Sequence, residues 1–238
     1  MEKREQLYEG KAKKVFATDD PARVIVSYKD DATAFDGTKK GTIAGKGSVN
    51  NRMSNLLMQL LEREGVPTHF VEELNDRETV VKKVEIVPLE VIIRNISAGS
   101  FAQRFGVAEG IVFPAPTFDF SYKNDALHDP LMNAYHALAL GLATQEEIDR
   151  IKALAFRVNE ILKDYFRTLN VKLVDFKLEF GRTPDGSIVL ADEISPDTCR
   201  FWDAETNEKL DKDRFRRDLG GVEDAYQEMM KRITASEP

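Results

Sequence analysis

Val174-Asp175-Phe176-Lys177-Leu178-Glu179-Phe180 alternates apolar and charged residues without a break. On the two-residue period of a strand, Val174, Phe176, Leu178 and Phe180 form an apolar face, and Asp175, Lys177 and Glu179 share the other. Asp185-Gly186 is a favoured two-residue hairpin turn, so residues 187–195 return as a second strand. Pairing across that turn sets Glu179 opposite Asp192. Any other even loop keeps Asp192 on the polar face, and an odd loop or a bulge brings in Glu193 instead. Two close carboxylates repel, and Mg2+ held by carboxylates and substrate phosphates relieves that repulsion. Lys177 then faces a phosphate or a carboxylate. A salt-bridge ladder on a solvated face has the same alternation.

Outward from this hairpin the chain is helical on both sides. Ile148, Ile151, Leu154, Ala155, Val158, Ile161, Leu162 and Tyr165 follow a Thr144-Gln145-Glu146-Glu147 capping box at helical spacing. Val222, Tyr226, Met229, Met230 and Ile233 make a C-terminal stripe, read as core packing. The first third reads as strands at 7–9, 14–16 and 23–28, then a loop punctuated by Gly37, Gly41, Gly45 and Gly47. A helix follows, with Met53, Leu56, Leu57, Leu60 and Leu61 on one face and Gly65 and Pro67 as stops. Strands 79–86 and 89–94 flank Val87-Pro88, a short helix opens at 97–100, and residues 110–133, rich in Pro, Asp and aromatics, read as an ordered loop. Strands first, then helices with a hairpin, is an α+β pattern rather than βαβ alternation.

The 238 residues are 42% apolar and 32% charged, ordinary for a folded globular chain. The net charge of -7, from 34 basic and 41 acidic residues, argues against a nucleic-acid binder. No apolar run is long enough to span a membrane, and the start carries no signal-peptide pattern. With Cys199 the only cysteine, these features point to a reducing cytoplasm.

Three further segments are suited to anions. Tyr8-Glu9-Gly10-Lys11-Ala12-Lys13-Lys14-Val15-Phe16 is strand, glycine, strand: glycine lets backbone approach a phosphate and the lysines supply charge. It is neither a Walker A loop nor a GxGxxG, and an ordinary hairpin with exposed lysines has the same look. Pro88-Leu89-Glu90-Val91-Ile92-Ile93-Arg94-Asn95-Ile96-Ser97-Ala98-Gly99-Ser100 sets an arginine at a strand end against a hydroxyl-bearing turn, suited to a phosphate monoester. Ser195-Pro196-Asp197-Thr198-Cys199-Arg200 brings Arg200 to the same ligand if the loop folds back over the sheet. Cys199 has no base partner, and His69, His128 and His136 lack metal-ligand or triad spacing.

Residues 88–100 and Leu173-Val174-Asp175-Phe176-Lys177-Leu178-Glu179-Phe180-Gly181 resemble the two signature motifs of the phosphoribosylaminoimidazole-succinocarboxamide synthase (SAICAR synthetase) family. Segments 8–16, 31–51, 123–130, 195–200 and 211–220 resemble it too, in the same order. The resemblance implies an α+β fold with an N-terminal antiparallel sheet lobe (1–86) and a larger lobe (87–238) around a kinase-like or ATP-grasp-like nucleotide cleft. It implies a ligase that joins L-aspartate to carboxyaminoimidazole ribonucleotide (CAIR) with ATP and Mg2+; a homodimer is expected beside it, not implied by it. By that likeness Gly10, Lys11, Ala12, Lys13 and Val15 cover the nucleotide, and Lys82, Val84 and Ile86 edge the adenine. Glu179 and Asp192 hold the metal, Lys177 sits by the phosphates, and Arg94, Ser100 and Arg200 grip the ribonucleotide phosphate. Asp129 and Asp36 fall near the amino-acid site. A small-molecule kinase using the same cleft would release ADP without an amine acceptor. An inactive nucleotide-binding regulator would lack a metal carboxylate, and both are present.

Overall fold

The β-branched run Arg23-Val24-Ile25-Val26 and the run Thr79-Val80-Val81 pair to make the centre of the first sheet, as strand propensity and burial favour. The computed structural model describes residues 1–34 and 37–235. Strands β1 (Lys3–Glu9), β2 (Lys13–Thr18), β3 (Arg23–Tyr28), β6 (Phe70–Glu73) and β7 (Glu78–Lys82) form an antiparallel sheet in the order β1-β2-β3-β7-β6. A small hairpin, β4 (Asp31–Ala34) with β5 (Lys39–Thr42), leads into helix α1 (Lys46–Arg63). Met53, Leu57 and Leu61 of α1 are fully buried, on the face its spacing predicts.

Asp30 anchors the start of α1. Its carboxylate accepts the backbone N–H groups of Gly45 (3.1 Å) and Gly47 (2.8 Å) and a fork from Arg77 (2.8 and 3.1 Å). Arg77 holds the Asp30 carboxyl down at about 2 against burial, helped by Gly47 and Gly45. A depressed carboxyl stabilises the fold above its ordinary value of 3.8, and that contribution is lost as pH falls towards 2. We expect Asp30→Ala to cost about 2 kcal/mol near pH 7. Urea unfolding at pH 7 and pH 2.5 checks this: the difference between variant and wild type should shrink at the lower pH.

The second sheet is built from β8 (Glu85–Ile96), β9 (Val112–Tyr122), β10 (Leu131–Met132), β11 (Val171–Arg182), β12 (Ile188–Ala191) and β13 (Cys199–Asp203), in the order β10-β9-β8-β11-β12, with β13 also on β11. Helices α2 (Gly99–Phe105), α3 (Ala134–Ala139), α4 (Gln145–Thr168), α5 (Asp213–Arg216) and α6 (Val222–Thr234) complete it. The capping box forms: Thr144 Oγ1 accepts the Glu147 N–H, and the Glu147 carboxylate accepts the Thr144 N–H. One continuous apolar core joins α1, β8, β11, α4 and α6. Among the described residues no helix is long and apolar enough to cross a membrane.

Four expectations change. Residues 112–122 are a strand rather than loop; Pro114 and Pro116 are tolerated because only two-residue β10 pairs its outer edge. The break between strands falls at Lys83-Val84 rather than Val87-Pro88, and Pro88 lies at a register shift between β8 and β11, where a missing N–H costs little. On α4 the buried ring is Phe166, tilted against Phe201 with ring centroids 4.6 Å apart, and Tyr165 is only half-buried. Val174 leaves the main core: β11 slips register against β13 between Leu173 and Asp175, and Val174 packs with Ile96, Ala98 and Trp202.

Candidate active site

β11 carries the polar residues of the site on one face, and its neighbours supply the rest by register. Arg94 on β8, Asp175 on β11 and Arg200 on β13 lie side by side across three strands. Two residues along, Lys177 pairs with Ile92, and two further, Glu179 lies between Glu90 and Ala191. At about 3.3 Å per residue, Asp175 and Glu179 stand about 13 Å apart along the strand. One edge of β11 is shared, β12 taking residues 179–182 and β13 taking 171–176. Residues 192–198 cross the gap between them, where Lys177 N–H donates to the Thr198 carbonyl (2.9 Å). Arg200 therefore needs no loop to fold back: it belongs to a strand beside Asp175.

The hairpin register differs from the two-residue turn. Thr183 and Ser187 close a three-residue loop, Pro184-Asp185-Gly186, with Gly186 at φ 83°. The odd loop places Ala191, not Asp192, opposite Glu179. Simple alternation would then turn Asp192 towards the core. Asp192 instead adopts φ 59°, a left-handed conformation costly for a residue with a Cβ, and this returns its carboxylate to the polar face. The buried His69 imidazole hydrogen-bonds the Asp192 backbone beside this kink, and burial, then Lys13, push its pKa down to about 4.

Three lysines meet four carboxylates here. Lys177 reaches Glu179 (2.7 Å), Glu90 (3.1 Å) and Asp192 (3.5 Å). Lys13 pairs with Asp192 and with Glu193 (3.0 Å), and Lys123 reaches Glu179 (2.9 Å). Burial raises the Asp192 carboxyl, but Lys13 and Lys177 outweigh it and hold the group well below its usual range. Burial likewise opposes charge on Lys13 and Lys177, and the carboxylates more than offset it, keeping both firmly cationic.

A cleft of about 290 Å³ runs from this cluster to the arginines, with Lys177 and Glu90 at one end and Arg94, Arg200 and Arg216 at the other. Arg94 is 4% exposed, bonded to Asp175 and, at 3.4 Å, to Ser100 Oγ, while its Nε has no partner. Arg200 Nη1 donates to both Asp175 oxygens (2.9 and 3.1 Å), and its Nε donates to Asp213 (2.7 Å). Gly99, at φ 52°, lets the Arg200 guanidinium lie against its backbone, since a Cβ would sit 2.3 Å from Arg200 Nη2.

In the segment that the resemblance places over the nucleotide, Gly10 N–H bonds the Lys13 carbonyl (2.8 Å) to close the β1–β2 turn, and Ala12 accepts from Lys29 N–H (2.8 Å). Val15 pairs with Val26 in the sheet. Lys11 reaches Asp125 (2.8 Å), joining the turn to the 123–130 segment. Lys82 Nζ donates to the Thr68 carbonyl (2.8 Å), and Ile86 is 36% exposed. Val84 packs on Gly181, two residues from Glu179, where an added Cβ would lie 2.3 Å from Val84 Cγ2. We expect Gly181→Ala to cost about 1–3 kcal/mol by displacing Val84 and, where Val84 edges the adenine as the resemblance implies, to raise the KM for nucleotide. Thermal melting and an ATP titration test this, and an unchanged KM would detach Val84 from the nucleotide. Asp129 spends its carboxylate on the Asn124 N–H (2.7 Å) within its own loop, and Asp36 lies outside the described residues.

Glu193 joins the cluster as an odd loop predicts, Glu90 and Lys123 join without local signal beyond their segments, and a deeper set is invisible to spacing. Fully buried Lys46 pairs with Asp197 (2.9 Å), which also accepts the Tyr226 hydroxyl and faces Lys212 (3.5 Å). Together they pin the 195–200 loop from α1 and α6. Cys199 is buried, and burial pushes its thiol up, away from reactivity.

The model of the SAICAR synthetase family matches residues 6–233. The chain is 66% identical over 233 residues to the phosphoribosylaminoimidazole-succinocarboxamide synthase of Lachnoclostridium phytofermentans, covering 98% of this chain and 99% of the relative. It is 61% identical to the same-named protein of Clostridium botulinum strain Alaska E43, covering 98% and 100%. Among solved structures, the synthase of Ehrlichia chaffeensis superposes with a TM-score of 0.95 at 47% identity, over 98% of this chain and all (100%) of the other. A SAICAR synthetase in complex with ADP gives 0.94 at 51% identity, over 98% and 99%. With sequence and fold matched along nearly the whole chain, the protein belongs to the SAICAR synthetase family.

Proposed function

We propose that this protein joins L-aspartate to CAIR with ATP, forming SAICAR, ADP and phosphate in de novo purine biosynthesis. The observation that carries the reading is the polar face of β11, which links a lysine–carboxylate cluster to a paired-arginine anion pocket within one cleft. Family membership and the relative solved with ADP support it.

In this reading residues 1–86 form the lobe that covers the nucleotide and 87–238 the lobe that holds CAIR. Gly10, Lys11, Ala12, Lys13 and Val15 lie over the phosphates, and Lys82, Val84 and Ile86 border the base. Arg94, Ser100 and Arg200 bind the ribonucleotide phosphate, a dianion matched to planar forked donors. Asp129 and Asp36 belong to the amino-acid end. Glu179 and Asp192 offer carboxylate oxygens, the hard donors that suit Mg2+, which takes one or two carboxylates and completes its shell with phosphates and water. Among the described residues no three His, Cys, Asp or Glu form a cage, and a metal shared with phosphates requires none. When bound there, Mg2+ would neutralise phosphate charge.

A carboxylate is a poor electrophile. Its oxygen attacks the γ-phosphorus, the bond to ADP breaks, and an acyl phosphate results. The aspartate amine then attacks the carbonyl carbon and phosphate leaves. Bringing an anionic carboxylate to a triphosphate is opposed by charge, which Lys13 and Lys177 offset while the pocket fixes the geometry. No side chain is assigned as general base.

The test is ADP release from Mg-ATP and CAIR, with and without L-aspartate. Release that requires aspartate, with amide product, supports the ligase. Rapid release without it points to a kinase or to acyl phosphate hydrolysis, and no release in either case removes the enzymatic reading. We place the enzyme in the cytoplasm as a homodimer; fractionation to a membrane, or a single-chain mass in sedimentation, would overturn those parts.

A further inference from the structure

Two ammonium groups reach the same oxygen of Glu179: Lys177 at 2.7 Å and Lys123 at 2.9 Å. They are not equivalent. Lys177 rises from the floor of the cleft and is held at the same time by Glu90 and Asp192, so its departure would strand buried charge. The Lys123 side chain is 42% exposed and heads the 123–130 segment, so it can exchange Glu179 for another anion at little cost. Glu179, 5% exposed at its side chain, needs its cations. A metal ion on the same carboxylate would meet Lys123 at contact distance, where like charges repel.

We infer that Lys123 holds the place of the divalent cation on Glu179 in the nucleotide-free protein, so that the metal enters with the nucleotide rather than before it. The inference rests on the reading of Glu179 and Asp192 as metal carboxylates. The incoming phosphates give Lys123 a new partner as the metal takes its old one, so no buried charge is left bare during the exchange. Lys11, which ties the same segment through Asp125, faces the same choice between a carboxylate and a phosphate.

Mn2+ binding, followed by the paramagnetic signal of the free ion in the absence of nucleotide, tests this. Lys123→Met keeps the stem and removes the charge. It should tighten Mn2+ binding at least about tenfold, the scale of one like charge within a few ångströms. Lys11→Met removes the same charge from the same region without touching Glu179, and should stay within about twofold of wild type, as screened charges do. A non-hydrolysable ATP analogue at saturation should erase the gap between Lys123→Met and wild type. Equal Mn2+ affinity in Lys123→Met and wild type without nucleotide, or equal tightening in Lys11→Met, would overturn the inference. With the analogue present, an Mn2+ affinity about tenfold lower in Glu179→Gln keeps the metal assignment even if Lys123→Met fails. No loss there removes the metal assignment and the inference together.

Discussion

Glu179→Gln is expected to lower turnover about a thousandfold or more while leaving the protein folded. Gln is isosteric but neutral, so the site loses half of its carboxylate pair and the charge stabilisation of phosphoryl transfer that depends on it. The fold survives because Lys177 keeps Glu90 at 3.1 Å and Asp192 at 3.5 Å, and Lys123 is free to turn to solvent. The cost in stability should stay below about 3 kcal/mol, a fall of several degrees in Tm for a chain of this length. Steady-state kinetics over a range of Mg2+, with a thermal melt beside them, decide it. Wild-type-like turnover would remove Glu179 from the metal site.

Arg94→Ala should raise the KM for CAIR about ten- to a hundredfold, the worth of charge-assisted hydrogen bonds to a phosphate, with kcat changed little. The phosphate is remote from the reacting carboxylate, so its binding is shared by ground state and transition state. Asp175 is not left bare, since Arg200 Nη1 still donates to both its oxygens at 2.9 and 3.1 Å. Arg94→Lys should fall between the two, because an ammonium keeps the charge but not the fork. An unchanged KM would move the phosphate site away from Arg94.

How much of this was legible beforehand differs from residue to residue. The alternation of 175–180 is local and gave both faces of β11 correctly; Val174 failed because a register slip against β13 is a tertiary event. Asp192 was assigned to the polar face through the wrong register. The turn has three residues, and a left-handed φ at Asp192 restores what parity would have lost. Arg94, Asp175 and Arg200 meet through strand neighbours 81 and 25 residues apart in sequence, which no single stretch encodes. β9 was hidden by its prolines, tolerated only because that edge is nearly unpaired. Tyr226 shows in the sequence only as one member of an apolar stripe, and the Lys46–Asp197 pair shows no period, since a buried ion pair is specified by its partner rather than by its neighbours in sequence. The reaction itself came from resemblance, not from spacing.

The most direct measurement uses CAIR labelled with 18O in its carboxylate, turned over with ATP, Mg2+ and L-aspartate. The oxygen that attacks the γ-phosphorus stays with phosphorus when the amine displaces phosphate from carbon. The account therefore predicts one 18O in each inorganic phosphate released and one fewer in SAICAR than in CAIR. Unlabelled phosphate beside labelled SAICAR would contradict it, because ATP would then have been spent without activating the carboxylate.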